Sequence, residues 1–184
     1  MHQINKDEIK YLAGLIDGDG CISAQCKFNK SFAANRPYQI QVTLQITQDE
    51  KTKHVLEKAR EYMGVGNITP RKESNGSTVY DLKTTAMDKV KDCLIQLRPH
   101  LRGKKKQANL VLRIIEQHKE ALKDINKFVN LLRLIEHVQS LNAATGPRID
   151  LKNVFENLKS LNKLSYEWED VPVPVETDDD ETST

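Results

Sequence analysis

Two acidic residues separated by one glycine lie at the end of the first apolar segment of the chain. Asp17-Gly18-Asp19-Gly20 follows a run of leucine, isoleucine and alanine that is too densely apolar for a helix with only one buried face. Gly14 and Gly18 lie four residues apart, so they share a face of that helix. Small residues at this spacing let two helices approach to backbone distance, so the spacing predicts a helix–helix contact.

The sequence contains one such helix, so we expect its partner to be a second copy of the chain, related by a two-fold axis. Asp19 then lies at the C-terminal end of each helix, and the two carboxylates come close together. Negative charge is unfavourable at a helix C-terminus and beside a second carboxylate. A divalent cation relieves both costs, and oxygen ligands favour Mg²⁺. The predicted dimer interface comprises Leu12, Ala13, Gly14, Asp17 and Gly18.

Simpler explanations exist for the same residues. An Asp-Gly-Asp-Gly run is often only a turn, and a glycine pair can serve packing within one chain. A Ca²⁺-binding EF-hand loop would need a ligand at Cys21, glycine at Ile22 and glutamate at Phe28, and all three are missing. The apolar helix before the acids and the alternating strand after them favour the metal site.

The decapeptide Tyr11–Gly20 matches the LAGLIDADG signature at nearly every position, with Gly18 where the signature has alanine. Gln107-Ala108-Asn109 after a basic cluster, the strands faced with glutamine and threonine, and the order of elements extend the match over roughly residues 7–142. The chain resembles the LAGLIDADG homing endonucleases. Within that family it resembles the single-motif homodimeric members encoded by chloroplast group I introns.

The resemblance implies a metal-binding main-chain carbonyl at Gly18 beside the Asp19 carboxylate. It also implies catalytic roles for Gln48 and Lys104, which would order the attacking water. The cofactor that it implies is Mg²⁺ or Mn²⁺. A simpler role for Lys104 is also open, because a lysine at a helix start can bind phosphate without catalysing a reaction.

The family usually has a second catalytic basic residue just after the position of Gln48. The stretch here is Asp49-Glu50-Lys51-Thr52-Lys53, and simple alignment places Thr52 at that position. Lys51 and Lys53 are the two candidates to replace it, and the sequence leaves the choice open.

Side chains that can contact bases alternate with apolar ones along the predicted strands. The first strand pair contributes Ser23, Gln25, Lys27, Asn29, Ser31, Gln39, Gln41, Thr43 and Gln45. The second adds Asn67, Thr69, Arg71, Val79, Asp81 and Lys83, and the basic cluster adds Lys105 and Lys106. An ordinary solvent-exposed face is rich in lysine and glutamate, whereas this one is rich in amides and hydroxyls. Because Gln and Asn pair with adenine and Lys with guanine in the major groove, the pattern favours double-stranded DNA.

An α+β fold with the order αββαββα is expected to position these residues. The predicted elements are helices over Asp7–Gly18, Glu50–Met63 and Thr85–Leu97, and strands over Cys21–Phe32, Tyr38–Gln48, Asn67–Lys72 and Ser77–Thr84. Asp7 is the predicted N-cap of the first helix, and Phe28 is predicted to be buried. The strands form a curved antiparallel sheet backed by helices. Further helices complete a domain over residues 1–164, and residues 165–184 are expected to be an acidic, disordered tail.

Composition and charge agree with a polyanionic partner. Residues 167–184 carry eight acids and no lysine or arginine, whereas the preceding 166 residues carry 28 basic and 18 acidic residues, a net charge of +10. The hydrophobic content of 38% is enough for a core. We expect no membrane span and no targeting segment. Three cysteines without a CxxC pair argue against a disulfide framework or a zinc site.

The predicted activity is staggered double-strand cleavage of a long pseudo-palindromic DNA target by metal-dependent phosphodiester hydrolysis. A strand of about ten residues, at roughly 3.3 Å each, spans about one DNA turn, so a homodimer would contact about twenty base pairs. Two alternatives stay open: an RNA maturase that assists group I intron splicing, and a DNA-binding regulator that does not cleave. The intact Asp19 argues against the regulator. The family implies an organelle, the chloroplast or the mitochondrion, as the place where the protein is encoded and made.

Overall fold

The computed structural model describes residues 5–32, 34–143 and 148–174. Its core comprises α1 (Lys6–Asp19), β1 (Gly20–Phe28), β2 (Tyr38–Asp49), α2 (Lys53–Met63), β3 (Asn67–Lys72), β4 (Thr78–Thr84) and α3 (Met87–Leu97). Three further helices follow: α4 (Lys105–Ala121), α5 (Ile125–Leu141) and α6 (Leu151–Asn162). Short 3₁₀ turns lie at Glu50–Thr52, Arg98–His100 and Trp168–Asp170. The predicted α+β class and αββαββα order are confirmed.

The four strands form one antiparallel sheet in the order β1-β2-β4-β3. Along β1 and β2 the even-numbered apolar residues are buried under the helices, and Ile22, Val42, Leu44 and Ile46 are fully enclosed. The odd-numbered residues lie on the opposite face, because successive side chains of a strand alternate. The alternation predicted from the sequence is therefore present, with exceptions at Phe28 and Thr43.

The first helix begins at Lys6, one residue earlier than predicted, and its N-cap is Asn5 rather than Asp7. The Asn5 side chain accepts from the backbone N–H of Asp7, and the Glu8 carboxylate accepts from the backbone N–H of Asn5 at 3.0 Å. This reciprocal pair is a capping box, which satisfies donors that would otherwise lack partners at the helix start. The prediction of Asp7 as the cap is wrong because the apolar periodicity does not mark the cap residue.

β1 ends at Phe28 instead of reaching Phe32. The backbone turns at Asn29, whose side-chain oxygen accepts from the backbone N–H of Ser31 at 3.0 Å, a local bond that competes with the strand. The burial predicted for Phe28 is wrong as well, because 56% of this residue is exposed at the end of an edge strand. Its ring packs edge-on against Tyr38, with centroids 5.7 Å apart.

The segment after Leu164 packs against the helices over its first part. Trp168 and Val171 are buried, and the Trp168 ring lies 5.5 Å from the Phe155 ring and 3.8 Å from the Arg133 guanidinium carbon. The prediction of a disordered tail is therefore wrong for residues 165–174. The rest of the predicted tail, residues 175–184, lies outside the described residues.

Helix α5 covers the free edge of β1. The side-chain amides of Asn142 and Gln139 donate to the backbone carbonyls of Ile22 and Ala24 at 2.9 and 3.4 Å. These bonds satisfy acceptors that an edge strand otherwise leaves open to another chain. Across the described ranges, none of the helices combines the length and the apolar character that crossing a membrane requires.

Candidate active site and polar sheet face

Asp19 and Gln48 meet where α1 passes directly into β1. The exposed Asp19 is the last residue of the helix, and the next residue, Gly20, begins the strand. A Cβ at Gly20 would lie 2.7 Å from the Ile16 backbone, so this close approach requires glycine. Gln48, near the end of β2, donates from Nε2 to Asp19 Oδ2 at 2.7 Å. Two side chains predicted as catalytic, 29 residues apart in sequence, are thus in direct contact.

Thr52 forms the other half of this hydrogen-bond chain. Its hydroxyl oxygen lies 2.8 Å from Gln48 Oε1, and its backbone N–H donates to the Asp49 carboxylate at 3.0 Å. The Thr52 hydroxyl and backbone N–H hold the pKa of Asp49 below its usual value. Sequence reasoning gave Thr52 no function of its own. The available signal was an Asp-x-x-Thr cap directly after a glutamine that ends a polar-faced strand.

The side chain of neither candidate for the second basic position bonds to Gln48, although the Lys51 backbone N–H bonds to the Asp49 carboxylate. Lys51 is exposed, and the Lys53 ammonium lies 3.6 Å from Glu57 Oε1 and 5.1 Å from the centre of the Tyr80 ring. The side chain that reaches Gln48 from this turn is the hydroxyl of Thr52. The choice between Lys51 and Lys53 stays a prediction.

Asp17 anchors the loop that carries Lys104. Its carboxylate accepts from the backbone N–H of Arg102 at 2.7 Å and from that of Lys104 at 2.9 Å, and its backbone carbonyl accepts from Lys104 Nζ at 2.5 Å. Burial by itself raises the pKa of the Asp17 carboxyl, but the N–H groups of Arg102, Gly103 and Lys104 and the lysine charge outweigh it and lower the pKa. The Lys104 ammonium is thereby held beside Asp17, near the C-terminus of α1. Positive charge is favourable at this end of a helix.

The outward face of α1 differs from the predicted dimer interface. Leu12 and Ala13 are buried in the core of their own chain, so their assignment to the interface is wrong. Gly14 and Gly18 are exposed, and a Cβ at either would meet nothing within 4 Å. The side of α1 that carries these two glycines is therefore open to another molecule.

The oxygen donors at the end of α1 suit a hard divalent cation. The Asp19 carboxylate and the main-chain carbonyl of Gly18 are oxygen ligands of the kind that Mg²⁺ prefers. Within the described ranges, however, no group of three or more His, Cys, Asp or Glu side chains could hold a metal ion.

The polar side chains form a continuous face across all four strands. Its pairs across the sheet are Cys21 with Gln45, Ser23 with Thr43, Gln25 with Gln41, Lys27 with Gln39, Gln45 with Lys83, Asn67 with Lys83, Thr69 with Asp81, and Arg71 with Val79. Gln25, Lys27, Gln39 and Lys83 are exposed, whereas Thr43 is buried because its short side chain lies on an inner strand. Asn29 and Ser31 lie beyond the end of β1, and Asn29 donates to Gln39 Oε1 at 3.1 Å.

Asp81 lies in this face as the partner of Arg71. Only 8% of Asp81 is exposed, and its carboxylate accepts from Arg71 Nε at 3.0 Å and from the Thr47 hydroxyl at 2.7 Å. Arg71 also donates to Glu73 at 2.8 Å, and the bonds to Asp81 and Glu73 raise the Arg71 pKa. These contacts argue against a direct base contact by Asp81. They fix the orientation of the Arg71 guanidinium instead.

The basic cluster begins α4. Lys104 precedes the helix, Lys105 is half-buried and Lys106 is exposed. The cluster is carried by the same loop that Asp17 holds, so it lies close to the C-terminal end of α1.

Comparison with known proteins gives consistent results. A family model described as LAGLIDADG endonuclease matches residues 12–112. The DNA endonuclease I-CreI of Chlamydomonas reinhardtii is 35% identical over 159 residues, which cover 86% of this chain and 93% of the relative. The DNA endonuclease I-CvuI of Chlorella vulgaris is 30% identical over 166 residues, 86% and 95% of the two chains. A crystal structure of I-CvuI in complex with the I-CreI target superposes with a TM-score of 0.75 at 28% identity, covering 86% of this chain and 98% of I-CvuI.

Proposed function

The chain belongs to the LAGLIDADG endonuclease family, and we propose that it is a homing endonuclease that makes staggered double-strand breaks in a long pseudo-palindromic DNA target. The observation that carries this proposal is the contact between Asp19 and Gln48 beside the anchored Lys104. A protein that had kept the fold only to bind DNA would have no need of an exposed carboxylate held at the end of its motif helix.

The active enzyme is proposed to be a homodimer. One chain supplies one Asp19, and the exposed Gly14 and Gly18 leave α1 accessible for backbone contact with the α1 of a second copy. A two-fold axis along that contact would bring the two Asp19 carboxylates together. Such a dimer would also place two polar sheet faces along one DNA duplex.

The residues of each chain have different proposed roles at the cleavage site. A bound Mg²⁺ or Mn²⁺ would supply Lewis-acid chemistry and lower the pKa of a water molecule. Asp19 and the Gly18 carbonyl would hold the cation. Gln48 fixes Asp19 through Oδ2 and can orient the attacking water, and Lys104 can offset the charge that develops on the scissile phosphate.

The polar sheet face is proposed to contact bases in the major groove. Each half-site would be about ten base pairs, since a strand of about ten residues spans one DNA turn. Glutamines suit adenine, and Lys27 and the oriented Arg71 suit guanine. Lys105 and Lys106 would bind phosphates. The relatives come from green algae, and we propose an organelle, the chloroplast or the mitochondrion, as the site of action.

The direct test uses purified protein, a random duplex DNA library and Mg²⁺, followed by sequencing of the cut ends. We expect cuts in both strands at one pseudo-palindromic sequence, none with a chelator present, and none with Asp19→Asn. Parallel reactions with single-stranded DNA and structured RNA should show no cleavage and weaker binding. Cleavage that persists in Asp19→Asn, or selective binding to the RNA, would overturn the proposal.

A further inference from the structure

We propose that Thr52 is a positioning residue for cleavage: its hydroxyl fixes which end of the Gln48 amide faces Asp19. The inference rests on the proposed endonuclease function. Thr52 is the residue of this turn whose side chain contacts Gln48, whereas the Lys53 ammonium lies beside Glu57 and Tyr80.

The chemistry of the three side chains favours one orientation of the Gln48 amide. An ionised carboxylate only accepts hydrogen bonds, so the Gln48 amide must present Nε2 to Asp19, which it does at 2.7 Å. The amide oxygen then points the other way and needs a donor, and the Thr52 hydroxyl lies 2.8 Å from it. A flipped amide would set its oxygen against the carboxylate, where the two partial charges repel. The hydroxyl therefore stabilises the flip state that Asp19 requires.

The backbone around Thr52 fixes the position of this hydroxyl. Thr52 is half-buried at the end of the 3₁₀ turn Glu50–Thr52, and its N–H donates to Asp49 Oδ1 at 3.0 Å. A β-branched side chain has few χ1 states, so the hydroxyl has little freedom to leave. The turn thus couples the end of β2 to the start of α2 and holds the hydroxyl against Gln48.

Asp49 supplies a matched control, because it competes for the same hydrogen. Its Oδ1 lies 2.9 Å from the Thr52 hydroxyl oxygen, and a hydroxyl has a single hydrogen to donate. Removing the Asp49 carboxylate weakens the turn but leaves Gln48 as the acceptor for that hydrogen. If the hydroxyl acts through Gln48, Asp49→Ala keeps the amide ordered, whereas removing the hydroxyl does not.

The experiment compares Thr52→Val, Thr52→Ala, Thr52→Ser and Asp49→Ala with the wild-type protein. The first readout is the signal of the Gln48 side-chain NH₂ group in ¹⁵N NMR spectra of the metal-free protein. This signal is assigned by its disappearance in Gln48→Glu. The second is the single-turnover cleavage rate on the selected target, measured beside the Kd for the same duplex without metal. Thermal melts identify any variant that fails to fold.

We expect Thr52→Val and Thr52→Ala to give an averaged, rapidly exchanging Gln48 amide. Their cleavage should be about tenfold slower or worse, with Kd within about twofold of the wild type. Thr52→Ser should keep the ordered amide and cleave within about threefold of the wild-type rate, since it keeps the donor. Asp49→Ala should melt earlier yet keep the Gln48 signal.

Wild-type cleavage by Thr52→Val, an equal loss in Thr52→Ser, or the loss of amide order in Asp49→Ala would overturn the proposal. A wild-type protein that cuts nothing would refute the endonuclease function instead. The NMR comparison would then still decide whether Thr52 orients Gln48. If Thr52→Val does not fold, Thr52→Ala gives the same answer, because it also lacks the hydroxyl.

Discussion

Removing the Asp17 carboxylate should destabilise the protein and displace the loop that carries Lys104. The carboxylate accepts two backbone N–H bonds, from Arg102 at 2.7 Å and Lys104 at 2.9 Å. A hydrogen bond to a charged group contributes about 1.5–3 kcal/mol, and partial exposure reduces that value, so we expect Asp17→Ala to lower the free energy of unfolding by about 2 kcal/mol. Denaturant melts at neutral pH measure this loss. Asp7→Ala is the matched control, because Asp7 is exposed on the same helix and its ion pair with Lys10 is 3.6 Å long.

The pH dependence makes this prediction specific. The folded-state pKa of Asp17 is lowered from 3.8, because the loop N–H bonds outweigh the effect of burial, so its contribution is fully present above the unfolded-state pKa. The contribution is lost as pH falls through the folded-state value. The difference in stability between wild type and Asp17→Ala should therefore be constant above about pH 5 and shrink in stronger acid. Equal melts at neutral pH, or a difference that persists undiminished in acid, would refute the anchoring role.

Further outcomes are expected for five variants. Asp19→Asn should abolish cleavage and leave DNA binding within a few-fold, as measured by gel cleavage and fluorescence anisotropy. Gly14→Leu should shift the protein from dimer to monomer in sedimentation velocity, since the added side chain separates the helices. Lys27→Gln should change which base is preferred at one position of each half-site, with a discrimination of about 1–3 kcal/mol in a cleavage profile. Phe28→Ala should lower the free energy of unfolding by only about 1 kcal/mol, because the ring is half-exposed. Trp168→Ala should lower the free energy of unfolding by about 3–5 kcal/mol in denaturant melts, because the ring is buried.

Periodicity predicted the elements because burial depends on local alternation. In β2 the odd and even residues separate into polar and apolar faces, and this separation follows directly from the geometry of an extended chain. Phe28 breaks the pattern for a reason that is not local. Phe28 is even-numbered, like the buried residues of β1, but the strand ends at this residue. The helices do not cover this end of the edge strand, so the ring is half-exposed. The polar and apolar faces of the strands could be predicted from the sequence. How far the helices cover the apolar face could not.

The candidate site was predictable in its residue types and not in its contacts. The motif singled out Asp19, and the family resemblance supplied Gln48 and Lys104. The Asp17 carboxylate bonds to Arg102 and Lys104, which lie 85 and 87 residues further along the chain. No pattern in a single sequence reveals contacts at that separation. The same holds for Trp168, whose acidic surroundings predicted disorder. Its partner Arg133 lies 35 residues away, and a single aromatic residue with one distant cation leaves no periodic signal.

The two acids of the motif have opposite tasks, and the helix that carries both explains the division. Residues two apart on an α-helix point about 200° away from each other. When Asp17 turns inward to accept from the loop of its own chain, Asp19 must turn outward, where it accepts from the Gln48 amide. One chain can therefore anchor its basic cluster and offer a single metal-binding carboxylate, but it cannot place both acids in one site. This geometry agrees with the proposed homodimer, in which each copy would bring one Asp19 carboxylate to the metal site. The exposed Gly14 and Gly18 lie on the helix that such a copy would have to approach.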